Sequence, residues 1–149
     1  MTSLNAGTIG NMIAFCAALI AIIGLIIQSC SLKKQLYLQN FIAYTQRYQE
    51  IILHFPEHIN ESNFCLSSLK QDEKQNLMRY MRAYFDLCFE EFTLHKKGFM
   101  HQDLWLIWDE GIKSALSKPA FQQTLQHIQG GTAYPHGFRQ WITSKQNTT

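Results

Sequence analysis

The sequence predicts an all-α chain, with one N-terminal transmembrane helix followed by a small cytoplasmic domain of about four helices. Three observations carry that expectation. The first 32 residues hold no charged side chain, so all 13 Lys and Arg and all 11 Asp and Glu lie from position 33 onward. Beyond that point apolar residues recur at intervals of three and four, the period of a helix with one buried stripe. No stretch alternates with the period of two that a half-buried strand requires, and no internal repeat or Gly-rich run occurs.

Composition narrows the function classes. At 149 residues the chain fits one domain with a small core. A net charge of +2 gives no basic footprint, which disfavours a nucleic-acid partner. With 46% hydrophobic and 13% aromatic residues the chain is not a disordered acidic tail. Its mean hydropathy of −0.15 is the average of one very apolar segment and a rather polar remainder.

Residues 1–8 form a short N-terminal tail without Lys or Arg, and residues 9–29 the membrane helix. Positions 9–27 read IGNMIAFCAALIAIIGLII, in which Asn11 is the one strongly polar side chain. Crossing the hydrocarbon layer takes about 20 residues at ~1.5 Å rise each. A cleaved signal peptide would want a basic n-region, which is missing, and a lipoprotein signal would want small residues before Cys30, where Ile27, Gln28 and Ser29 stand instead. Lys33, Lys34 and Arg47 follow the span, and such charges stay on the cytoplasmic side. The expected placement is a single pass through an inner (plasma) membrane, N-terminus outside, domain inside. Gly10, Ala14, Ala17, Ala21 and Gly24 are spaced by alternating fours and threes, a small-residue seam that lets another helix approach closely in lipid.

Residues 30–56 are expected to form a juxtamembrane helix, with a break near Ser29–Ser31 left open and its apolar stripe at Leu38, Phe41, Ile42, Tyr48, Ile52 and Phe55. Pro56 ends it, because proline lacks the N–H and its ring clashes with continuation. Positions 57–67 read as loop. The helical domain occupies 68–143. Its first helix starts at a capping box, Ser68 with Gln71, has Asp72 and Glu73 in its first turn, and closes on His95, Lys96 and Lys97 with Gly98 as left-handed cap. The next begins near Gln102 or Asp103 and carries Leu104, Trp105, Trp108, Ile112 and Leu116, with Gly111 in its middle at a cost of ~1 kcal/mol relative to Ala. Ser117 with Pro119 restarts a further helix that Gly130 and Gly131 end. Phe138 and Trp141 mark one short last turn over 137–143. Residues 144–149 form a flexible tail.

Cys16, Cys30, Cys65 and Cys88 have no metal-ligand or disulfide spacing. The sequons at Asn60 and Asn147 would matter only in a secretory lumen. His54, Glu57 and His58 formally match the HxxEH pattern of inverted zinc peptidases, but Pro56 between them breaks the helix that must put both His on one face. Asp86, Glu90, Glu91 and His95 form the candidate polar cluster. Asp86 and Glu90 are four residues apart, as are Glu91 and His95, so each of these two pairs can share a face, worth about 0.2–0.5 kcal/mol if it is only a solvated face. The spacing is not the Glu-x-x-His of di-iron bundles and has no second copy. Tyr84, Phe89, Phe92, Trp105 and Trp108 are by default core residues. They are also the candidates for an exposed aromatic contact surface, because the aromatics of residues 80–92 cover more than one helix face.

The segments RYQEI (47–51), MRAYFDLC (81–88), EEF (90–92), KG (97–98), Trp105 with Trp108, GI (111–112) and PAF (119–121) resemble a family of short bacterial single-pass, membrane-anchored helical proteins. The resemblance spans residues 35–141. It implies an anchor and a helical domain, and brings no activity, cofactor or catalytic residue with it. The expectation is therefore a non-enzymatic protein without cofactor or metal, in a lipid bilayer, acting as a homo-oligomer or with a membrane-protein partner and not with nucleic acid. The alternatives are a metal-dependent enzyme built on the acidic/His cluster, and a sensor whose membrane helix relays a signal into residues 35–55.

Overall fold

The computed structural model describes residues 6–146. Among these the chain is wholly helical, with five α-helices and two short 3-10 turns: α1 (Ala6–Ile52), turns at Glu57–Asn60 and Leu66–Ser68, then α2 (Gln71–Lys96), α3 (Gln102–Leu116), α4 (Pro119–Gly131) and α5 (His136–Gln146). The expected long apolar N-terminal helix followed by about four helices is what the chain forms. Positions 1–5 of the expected tail, the sequon at Asn147 and residues 147–149 lie outside the described residues.

Two compact units divide at Asn40 and Phe41. The first is the N-terminal part of α1. It contains a window of mean hydropathy 2.5, none of it buried. One long apolar helix of this kind is compatible with a single-pass membrane anchor. The break left open at Ser29–Ser31 does not occur, and α1 runs uninterrupted to Ile52. Ser29 fits the helix by donating its hydroxyl to the carbonyl of Leu25 at 2.8 Å, the back-bond that lets Ser sit mid-helix.

The second unit is a bundle. Buried side chains of α2 (Leu77, Met81, Tyr84, Phe85, Leu87, Cys88), α3 (Leu104, Trp105, Ile112, Leu116), α4 (Phe121, Leu125, Ile128) and α5 (Phe138, Ile142) build its core. The final portion of α1 joins through aromatic rings: Tyr44 lies 5.1 Å from Trp108, Tyr48 6.3 Å from Tyr84. Phe55, just past the helix, sits 5.8 Å from Phe121. At the C-terminal side Phe138 is fully buried and surrounded by Phe89, Phe92, Tyr134 and Trp141, with centroids 5.1–5.6 Å away.

Boundaries differ from expectation at four places. α1 stops at Ile52, four residues before Pro56, and a turn covers the interval. Ser68 does not cap α2, because its hydroxyl donates to the carbonyl of Cys65. The helix instead begins after Lys70, whose N–H donates to the Glu73 carboxylate at 3.1 Å. Ser117 closes α3 rather than opening α4; its hydroxyl donates to the Ser114 carbonyl, and Pro119 is the first helical residue of α4. α5 continues through residues 144–146, where a flexible tail was expected, because Ile142 and Phe138 are one turn apart and both fully buried. The α2 terminus is as expected. Gly98 takes φ +71°, with the N–H of Phe99 on the Leu94 carbonyl and that of Gly98 on the His95 carbonyl. This pair of bonds satisfies two of the helix's last carbonyls.

Candidate functional site

The four members of the acidic/His cluster share one helix and no common site. Asp86 accepts a hydrogen bond from the Tyr134 hydroxyl at 2.6 Å, tying α2 to the segment before α5. Burial and that bond push the Tyr134 phenol well up. Glu90 receives both guanidinium nitrogens of Arg47, at 2.6 and 3.2 Å, in a half-exposed bidentate pair. His95 stacks flat on Trp105, centroids 4.3 Å apart and planes 4° from parallel. Burial, then the neighbouring Lys96, lowers its pKa. Three of the four are thus structural contacts, and a helix of 3.6 residues per turn aims them at different neighbours.

Glu91 is the exception. It is 5% exposed, and no hydrogen-bond donor among the described residues meets its carboxyl. Burial raises its pKa to about 8, with the Arg47 charge pulling the other way and Glu90 adding to the rise. A buried carboxyl meets its desolvation cost by keeping its proton.

Glu91 lines a cavity of about 330 Å³ between the end of α1, α2 and α3. Tyr84, Leu87, Cys88 and Ile112 are its buried lining, while Phe41, Tyr48 and Ile107 are partly exposed at its edge. Trp108 and Gly111 complete the α3 wall. Ring pairs beside this cavity, Tyr44 with Trp108 and Tyr48 with Tyr84, tie the end of α1 to its neighbours. Gly111 keeps the wall low: a Cβ there would meet no heavy atom within 4 Å. No packing neighbour therefore explains its cost in the helix. Within this lining the Cys88 thiol is fully buried and its pKa lies far above the usual range, first from burial and then from Glu91. It is not a nucleophile at neutral pH.

The other sequence candidates separate similarly. His54 stacks on Tyr80 at 4.1 Å, and its Nδ1 lies 2.8 Å from the Glu50 carbonyl. His58 leans toward Phe64, and Glu57 is exposed. Among the described residues no three His, Cys, Asp or Glu side chains converge to hold a metal ion. The five candidate aromatic contact residues do not form one exposed face. Tyr84, Phe92 and Trp105 are buried in the core, and Phe89 and Trp108 are half-buried, because rings on α2 and α3 find each other and α5 before they find solvent. The apolar side chains that do face outward there are Phe99, Leu106 and Ile107. The seam residues Gly10, Ala14, Ala17, Ala21 and Gly24 share one face of α1, and nothing lies within 4 Å of where a Cβ on Gly10 or Gly24 would sit.

The cavity as such was missed from sequence, though two signals pointed to it. Glu91 falls on the apolar stripe of α2 that runs through Leu77, Met81, Tyr84 and Cys88, and Gly111 interrupts an otherwise good helix. No family model, curated protein or solved structure matches the chain, so the site rests on its own geometry.

Proposed function

We propose that this chain is a single-pass protein of the plasma membrane, N-terminus outside, whose cytoplasmic helical domain acts through protein–protein contact, by self-association or with another membrane protein. The observation that carries this reading is the apolar window of α1, of mean hydropathy 2.5 with none of it buried. Soluble proteins do not leave an apolar surface of that length in water, and lipid or a neighbouring helix is what covers it. Lys33 and Lys34 directly after it support the inward orientation of the domain. The seam from Gly10 to Gly24 supplies a face on which backbones of two such helices can approach. The acidic/His cluster gives little support to a metal enzyme, since Asp86, Glu90 and His95 are each engaged elsewhere. A membrane-coupled sensor is the second reading, favoured by α1 being one element from Ala6 to Ile52.

The test is crosslinking of the full chain in membranes washed at alkaline pH. The expected result is retention in the membrane and a crosslinked adduct, lost when Ala17→Leu and Ala21→Leu fill the seam. A chain that washes off, or that stays a lone monomer under crosslinking, overturns the proposal.

A further inference from the structure

We infer that the cavity between α1, α2 and α3 is a binding site for a small organic ammonium ion carrying an apolar or aromatic arm, with Glu91 as the anionic partner and the rings of Tyr48, Tyr84 and Trp108 around it. Three observations converge. Glu91 is an acid 95% withdrawn from water that lines a void while no donor among the described residues meets it. A buried carboxyl without donors is costly, and an ammonium group supplies both donors and opposite charge. The lining is rich in aromatic faces, which attract cations electrostatically and bury an apolar arm equally well. The volume, about 330 Å³, is at the lower end of small-molecule sites. The wall position that would most easily have been filled is Gly111, which is left open at the expense of helix propensity.

The charges facing the site account for the sign of the ligand. Arg47 on α1 is held by Glu90 in a bidentate pair; it gives Glu91 no hydrogen bond and only partly offsets its burial through its charge. The remaining polar groups of the lining are Thr45, Tyr48, Tyr84, Cys88 and the Trp108 indole N–H, none of them cationic. On binding, the proton held by Glu91 leaves to solvent and the carboxylate takes the ammonium in its place. Every lining residue belongs to the unit that begins at Phe41, so the site does not depend on the membrane reading.

The experiment is isothermal titration of the full chain in phosphatidylcholine nanodiscs, with empty discs as blank. The probes are phenethylamine, its neutral analogue 2-phenylethanol and its anionic analogue phenylacetate. Saturable binding of phenethylamine is expected, at least tenfold tighter than either analogue. Glu91→Gln should lose tenfold or more while leaving 2-phenylethanol unchanged, and Gly111→Leu, which fills the void without touching the acid, should abolish both. Equal affinity for amine and alcohol would make the cavity an undiscriminating apolar groove and overturn the assignment. So would amine binding that survives both substitutions, or no binding at millimolar probe.

Discussion

Replacing Glu91 by glutamine is expected to remove a pH dependence of stability that the wild-type chain carries. In the folded protein burial raises the Glu91 pKa to about 8, against an ordinary value of 4.5. Between those values the folded state holds a proton that the unfolded state has released. Stability therefore falls as pH rises, by ~1.36 kcal/mol per pH unit for one proton. The contribution is fully present below about pH 4.5, declines through the window, and is gone above about pH 8. From pH 5 to 7.5 the loss is about 3 kcal/mol. For a domain near 100 residues that corresponds to a fall in Tm on the order of 10 °C. Glutamine mimics the protonated carboxyl in shape and cannot ionise, so Glu91→Gln should match wild type at pH 5 and exceed it increasingly toward pH 8. The assay is thermal unfolding of both chains in the same detergent at half-unit pH steps. Every other ionisable group is shared by the two proteins, and taking the difference cancels their contribution. Parallel pH profiles would mean that Glu91 is solvated or paired, and would refute its placement in the cavity wall.

Three other outcomes follow from the bundle. Phe138→Ala removes the ring around which Phe89, Phe92, Tyr134 and Trp141 gather, and should cost about 3–5 kcal/mol in denaturant unfolding. Lys145→Met removes the ammonium 2.5 Å from the Asp109 carboxylate. The other oxygen of that carboxylate is already buried without a partner, so a loss of about 1–3 kcal/mol is expected by the same assay. Gly98→Ala should cost about 1 kcal/mol, because the α2 cap needs φ +71° and alanine resists it.

Much of this architecture is legible in the sequence because its signals are local. A charge-free run, a proline that ends a helix, Gly98 after His95, Lys96 and Lys97, and Pro119 at a helix start each act within one turn of chain. The cap residues Ser68 and Ser117 were misassigned for the same reason. A hydroxyl can bond backwards to a carbonyl as readily as forwards to an N–H, and only the folded chain decides which. α5 was underestimated because its sequence has few large apolar side chains, Phe138, Trp141 and Ile142, and their burial depends on distant residues of α2. The site was least legible. Asp86, Glu90, Glu91 and His95 look alike in spacing, yet Tyr134, Arg47 and Trp105, none of them a local neighbour, draw three of them away. What isolates Glu91 is a cavity whose walls come from three helices.

The proposal that the helical domain lies on the cytoplasmic side of a membrane crossed by α1 is tested most directly by labelling Cys65 with a membrane-impermeant maleimide. This thiol is exposed, and its bond to the Ser67 hydroxyl lowers its pKa, which favours reaction. Cys88 is buried, and Cys16→Ala with Cys30→Ser leaves Cys65 as the accessible thiol. The proposed topology predicts no labelling of intact cells and full labelling once they are permeabilised. Labelling of Cys65 in intact cells would contradict it.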